Sequence, residues 1–167
     1  IDNSGRILKP EEITNKLGLQ HKERIKSVDG VTSFIITQNI QTGRHIYISQ
    51  KDVREFQLAK GAIAAGIQIL LEEYGAITDD IDEVFLAGAF GSYLNNENVC
   101  RVGMLPQELL ERITSIGNGA GAGAKMIMLS EEEYKHSEIL SKKIEYVELS
   151  VHPLFNDIFL NKLRFNL

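Results

Sequence analysis

The sequence predicts an α/β layer fold in which a mixed sheet is flanked by helices. Three observations predict it: two β-rich runs joined by a turn, one long stretch with helical periodicity, and strand and helix patterns that then alternate to the end of the chain. The β-rich runs are VTSFIIT (31–37) and RHIYIS (44–49). Asn39 and the pair Thr42-Gly43 lie between them, which reads as a hairpin. Asp29-Gly30 is a second turn signal just upstream. The residues before it are polar and mixed. Pro10-Glu11-Glu12-Ile13 suits a short helix ending before Gly18, and the rest of 1–30 reads as a connector from whatever precedes it.

Ser49-Gln50-Lys51-Asp52 has the S-x-x-D form of a capping box, which satisfies orphan amides at a helix start. Val53, Phe56, Ile63, Ile67, Leu70 and Tyr74 then recur in steps of three, four and seven, predicting one apolar stripe. Gly75 stops the helix. Such a helix is about 33 Å long and crosses a whole lobe. Glu83-Val84-Phe85-Leu86-Ala87 reads as a buried strand running into Gly88-Ala89-Phe90-Gly91. A short helix is expected over 95–102, a helical turn from Pro106 to Glu111, and a strand over 113–116. The run GNGAGAGA (117–124) leads into KMIML, and a helix poor in side chains can lie very close to a sheet. Ser130-Glu131-Glu132-Glu133 caps a further helix to about Lys143. Ile144 to Leu149 reads as a strand, and Pro153 begins a last helix with Leu154, Phe155, Ile158 and Phe159 on its apolar side.

Composition narrows the function classes. With 43% hydrophobic and 25% charged residues, the 167-residue chain is that of a globular protein. No run of eighteen apolar residues is present, so no membrane span is expected. The formal net charge is −5 and no Lys/Arg block occurs, which argues against a nucleic-acid partner. Acidity does not exclude a small anion such as ATP, because backbone N–H groups can hold phosphates. The single cysteine, Cys100, makes an internal disulfide impossible and fits a reducing cytoplasm. It also precludes a four-cysteine iron–sulfur cluster within these residues. No zinc-type spacing of His and Cys is found, and no metal ligands are assigned. The chain starts at Ile1 rather than Met, which reads as a piece of a longer protein.

Two segments have the form of a ligand-binding turn. In Leu86-Ala87-Gly88-Ala89-Phe90-Gly91 a strand ends in a turn with two glycines, which lets a ligand touch the backbone directly. Gly117-Asn118-Gly119 opens a second strand–helix turn. It lacks the Lys-Ser/Thr of a P-loop, and it lies too late in the chain for a Rossmann fingerprint. Taken alone, each turn is better explained by tight packing than by a ligand. Together they should sit at one edge of one sheet, beyond the carboxyl ends of its strands, where α/β folds hold ligands. A flat purine nucleoside could rest on them.

The runs QKDVREFQLAKGAIAAGIQILL (50–71), VFLAGAFGSYL (84–94), VGMLP (102–106), IGNGAGAGAKMIML (116–129) and VHPLFNDIF (151–159) resemble, in order, the ATP-dependent reductive activators of corrinoid proteins. These belong to the superfamily of acetate and sugar kinases, heat-shock chaperones and actin (ASKHA). The resemblance implies an RNase H-like, actin-like lobe at 31–167, with 1–30 connecting it to an upstream lobe. It implies a parent that uses ATP, with Mg in the complete domain, to drive an electron onto the Co(II) corrinoid of a methyltransferase system. The electron would come from a two-iron two-sulfur cluster in an N-terminal ferredoxin domain.

It further implies a nucleotide site at Gly88, Ala89, Phe90, Gly91, Gly117, Asn118 and Gly119. Polar residues of the long helix are added to it: Gln57 and Lys60, with Gln50 and Asp52 as further candidates. Partners would be ATP, a corrinoid protein or methyltransferase, and a second copy in a homodimer. Catalytic residues are not assigned, and the chain alone is expected to be inactive. Asp29-Gly30-Val31-Thr32 sits in the wrong place for the superfamily's first phosphate hairpin and is read as a turn. The alternative is an actin-like interaction or dimerisation module whose glycines serve packing only. An activator of radical dehydratases ranks lower, since Cys100 does not suit a cluster bridging two subunits.

Overall fold

The computed structural model describes residues 1–14, 16–39 and 41–165, without the side chains of Lys16, Leu17 and Phe90. Short 310 turns and a one-turn helix α1 (Lys16–Leu19) lead into strand β1 (Ile25–Val28), which pairs antiparallel with β2 (Val31–Gln38). Asp29 and Gly30 both have positive φ, 49° and 78°, which is the two-residue turn that matches strand twist. The segment expected to be a connector thus supplies a strand. β2 continues antiparallel into β3 (His45–Ser49), with a bulge between Ile35 and Thr37. The expected hairpin is present, within one residue at its ends.

Helix α2 (Gln50–Tyr74) follows directly. Ser49 and Asp52 form the reciprocal cap, and Gly75 ends the helix at φ 70°. Its buried face differs from the expected one. Val53 is buried and Ile67 is half-buried, but Phe56, Ile63, Leu70 and Tyr74 are exposed. The buried residues are instead Gln57, Lys60, Gly61, Ala64, Ala65, Gly66 and Ile69. The reason is α7 (Phe155–Lys162), the last helix, which packs against α2. A Cβ on Gly61 would lie 3.0 Å from Leu163 and 3.4 Å from Phe159, so small residues set the helix separation. Close approach of the two backbones outweighs the pull of the larger apolar side chains.

The remaining strands, β4 (Val84–Ala87) and β5 (Ile113–Gly117), form a parallel pair. The strands therefore divide between a three-stranded antiparallel sheet and a two-stranded parallel one. Between β4 and β5 lie α3 (Gly88–Tyr93), α4 (Asn96–Arg101) and a 310 segment at Gln107–Arg112. Val99, Cys100, Met104 and Leu105 make a core under the pair, joined by Ile67, Val84, Leu86 and Ile113. β4 is not fully buried as expected: Val84 and Leu86 face this core, while Phe85 is 56% exposed on the other face. A parallel strand covered on one face alternates in burial instead of hiding every residue.

Helices α5 (Gly119–Leu129) and α6 (Glu131–Ser141) pack on each other. At the start of α5 a Cβ on Gly119 would meet Ile116 and Ala87 of the sheet, whereas one on Gly123, a turn further on, would meet nothing within 4 Å, so close packing is seen only at the head of the Gly/Ala run. The strand expected at 144–149 does not form. Among the described residues no strand pairs with it, and the segment settles into local bonds, with the Tyr146 hydroxyl donating to Glu148 at 2.5 Å. His152 lies at the start of the last helix, accepting from the Leu154 N–H at 3.3 Å and meeting Glu73 at 3.1 Å.

Candidate functional site

The two Gly-rich turns stand side by side. β4 and β5 run parallel, with Ala87 in register with Gly117, so both turns follow the carboxyl ends of neighbouring strands. The glycines divide by what surrounds them. Gly88 and Gly117 have positive φ, 69° and 59°, and a Cβ on either would meet nothing within 4 Å. These two need glycine for backbone conformation and leave open space above them. Gly91 and Gly119 need it for packing. A Cβ on Gly91 would overlap the Leu86 carbonyl, and one on Gly119 would sit 3.2 Å from Ile116 and 3.6 Å from Ala87. The same residues that close one turn against its strand therefore bring the two turns together.

Gly88, Ala89 and Asn118 are exposed, while Gly91, Gly117 and Gly119 are half-buried. Phe90 lies in α3, and its side chain is outside the described residues. Asn118 caps α5 by accepting from the Gly121 N–H at 2.9 Å. The Ser92 hydroxyl donates to the Gly88 carbonyl at 3.1 Å, which steadies the first turn. The result is a shelf of backbone and small side chains, open on one side, with the amino end of an eleven-residue helix at its margin. It can accept a flat ring system and offers backbone amides to an anion.

The polar residues of α2 are placed elsewhere. The Gln50 side chain accepts from the Ile7 N–H at 2.6 Å and donates to the Gly5 carbonyl at 2.8 Å. The Gln57 amide donates to the carbonyls of Ser4 at 3.0 Å and Leu163 at 2.8 Å. The Lys60 ammonium donates to the Arg164 carbonyl and stands 5.3 Å from the centre of the Phe165 ring. Asp52 is committed to the helix cap, and its carboxyl is held below its ordinary range by the Ser49 hydroxyl and then the Ser49 N–H. Gln57 and Lys60 are thus the grip of α2 on both ends of the chain. Their positions are ten residues or fewer from Gln50, at steps that keep all three on one helix face, a pattern visible in the sequence but masked there by the apolar stripe beside it.

Cys100 is buried, and its thiol donates to the Pro106 carbonyl at 3.6 Å. Burial, helped by Glu108, pushes the thiol above its ordinary value, the opposite of a poised nucleophile. Arg112 holds the loop that carries Asp79, Asp80 and Asp82 by donating to the carbonyls of Thr78, Asp79 and Ile81 at 3.2, 3.3 and 2.6 Å. Among the described residues, no three His, Cys, Asp or Glu side chains converge on a metal site, and no helix is long and apolar enough to cross a membrane.

Comparison with known proteins adds a family to this geometry. Residues 2–166 match the family model described as the C-terminal domain of RACo, the ASKHA domain. The corrinoid activation enzyme RamQ of Eubacterium limosum is 40% identical over 123 residues, which is 74% of this chain and 21% of that protein. The [Co(II) methylated amine-specific corrinoid protein] reductase of Methanosarcina barkeri is 30% identical over 125 residues, 74% of this chain and 23% of that protein. A solved structure of a reductive activator for corrinoid, iron–sulfur protein superposes with a TM-score of 0.83 at 29% identity, covering 99% of this chain and 25% of the other. The chain therefore spans about a fifth to a quarter of the length of the relatives it matches. An α/β chain that matches this model from its second residue almost to its last belongs to the family of RACo C-terminal ASKHA domains.

Proposed function

We propose that this chain forms the adenosine side of the ATP site in a reductive activator of corrinoid proteins. The observation that carries the reading is the pair of adjacent turns beyond β4 and β5, with open space above Gly88 and Gly117. Gly88, Ala89, Phe90, Gly91, Gly117, Asn118 and Gly119 would hold the nucleoside. The shelf suits a purine: apart from Phe90 it consists of glycine, alanine and asparagine, and the amino end of α5 borders it. Magnesium accompanying ATP would take its protein ligands from the rest of the parent, since the shelf itself carries no carboxylate.

The names of the relatives support the wider activity. In the parent, ATP binding and hydrolysis would bring the lobes together and drive an otherwise uphill electron transfer to the Co(II) corrinoid of a partner protein, giving Co(I). An iron–sulfur donor does not fit this chain, whose single cysteine is buried, so its cluster would be held elsewhere in the parent. This chain's own part is to bind and orient the nucleoside. Gln57 and Lys60 serve it indirectly by fixing α2.

Calorimetry on the full-length parent with a non-hydrolysable ATP analogue tests the reading. Binding is expected, and it should fall at least tenfold in Gly88→Trp while circular dichroism stays unchanged. Full affinity in that variant, or no binding by the wild-type parent, would sink the proposal. A surviving corrinoid-partner interaction without nucleotide binding would point to the interaction-module reading, which the exposed apolar residues of β4 and α5 favour.

A further inference from the structure

A cleft of about 570 Å³ opens between α2, α7 and the Gly103–Glu108 loop. Lys60, Lys162 and Arg164 line it, with Glu108 as its carboxylate. Lys60 is only 1% exposed. Its ammonium has three donors, and the Arg164 carbonyl takes one of them. Among the described residues none of the three cations is ion-paired. A buried charge without a counter-ion is costly. Desolvation, and then the nearby Lys162, depress the Lys60 ammonium below its ordinary value. An anion in the cleft would relieve both penalties.

We propose that this cleft is a second ligand site, which takes a phosphate group between Lys60, Lys162 and Arg164. Glu108 offsets one of the three cations, leaving two positive charges. A phosphate monoester carries about −1.5 to −2 at neutral pH, which matches that excess. The site is separate from the glycine shelf. Thr78 and Gln107 line the cleft, and they lie in the segments leading into β4 and β5, whereas the shelf follows the opposite ends of those strands. A phosphate bound here would bridge α2 and α7 and tighten the grip on the carboxyl-terminal residues. It acts as an effector of the lobe and takes no part in nucleotide chemistry.

The test is calorimetry and thermal unfolding of the full-length parent, with inorganic phosphate in one arm and glycerol 3-phosphate in the other. Saturable binding of either, with a raised unfolding temperature, is expected; the arm that binds more tightly identifies the free anion or a phosphoester as the ligand. Lys60→Met risks the fold, so Lys162→Glu and Arg164→Glu, on less buried side chains, carry the test. Each should weaken binding at least tenfold. Gly88→Trp should leave phosphate binding unchanged even where it abolishes ATP binding. No binding in either arm, binding indifferent to Lys162→Glu, or binding lost in Gly88→Trp would overturn the proposal.

Discussion

The two ends of the α2 layer are stabilised in different ways. On the side of the antiparallel sheet the chain closes on itself. Gln50, Gln57 and Lys60 hold carbonyls from both termini, the Phe165 N–H donates to the Asn3 carbonyl at 2.9 Å, and Ile7, Val53 and Phe165 share a core. The parallel pair and its helices are left open. Phe85 is 56% exposed, and Met128 and Leu129 at the end of α5 are 83% and 86% exposed. Two parallel strands are too few to stand alone in water, and parallel sheets are ordinarily covered on both faces. The contrast is one of anchoring and not of apolar exposure alone: Ile46 of the antiparallel sheet is itself 60% exposed, but that side has both termini tied to α2. The candidate nucleotide shelf sits on the open side, where a Cβ on Gly88 or Gly117 would meet nothing within 4 Å.

The largest expected effect breaks this contrast at the shelf itself. Gly91→Val would push a Cβ into the Leu86 carbonyl, where backbone, not a flexible side chain, must yield. Overpacking of this kind costs about 3 kcal/mol. Gly88→Ala in the same turn has room for its methyl group and pays only for positive φ, about 1 kcal/mol. Urea unfolding of the full-length protein followed at the transition of this domain would rank the two. Equal midpoints would mean that the open side is loose even in its backbone, and the comparison would fail. On the closed side, Gln57→Leu strips the donor from two carbonyls and should lower stability by about 2 kcal/mol. It should leave ATP-analogue affinity near wild type. A selective loss of affinity would restore Gln57 to the nucleotide site and overturn its assignment to the grip.

Local signals were legible in the sequence where one short-range interaction decides the outcome. The Ser49/Asp52 cap, the Gly75 stop, the 31–49 hairpin and the adjacency of the two Gly-rich turns all follow from turn chemistry and chain order. Strand β1 was legible too: Asp29-Gly30 is a hairpin turn, and residues 25–28 needed only to be read as its other arm. What could not be read depended on distant partners. The buried face of α2 is set in part by α7, roughly a hundred positions on, against which Gly61 packs while Phe56 and Leu70 stay exposed. The run read as a strand at 144–149 has no neighbouring strand to pair with among the described residues. Gln57 and Lys60 were singled out as polar residues on a long helix. Their real partners are backbone carbonyls, which carry no sequence signature.

The smallest effect tests whether the closed side depends on its helix start. The Ser49 hydroxyl donates to the Asp52 carboxylate at 2.7 Å and accepts from the Asp52 N–H at 3.2 Å. Ser49→Ala should cost about 1 kcal/mol at neutral pH. The pH dependence has a fixed sign. Asp52 is depressed in the folded state, chiefly by the Ser49 hydroxyl, so its contribution is complete above the ordinary aspartate value and is lost as pH falls through the depressed one. The variant lacks that hydroxyl and has less to lose. The gap between wild type and Ser49→Ala should therefore narrow in acid, below about pH 4. Urea midpoints at pH 7 and pH 3 measure it. A gap that stays constant or widens would show that the serine hydroxyl acts only by accepting the amide, and that the carboxylate works through the Ser49 N–H, which the variant retains.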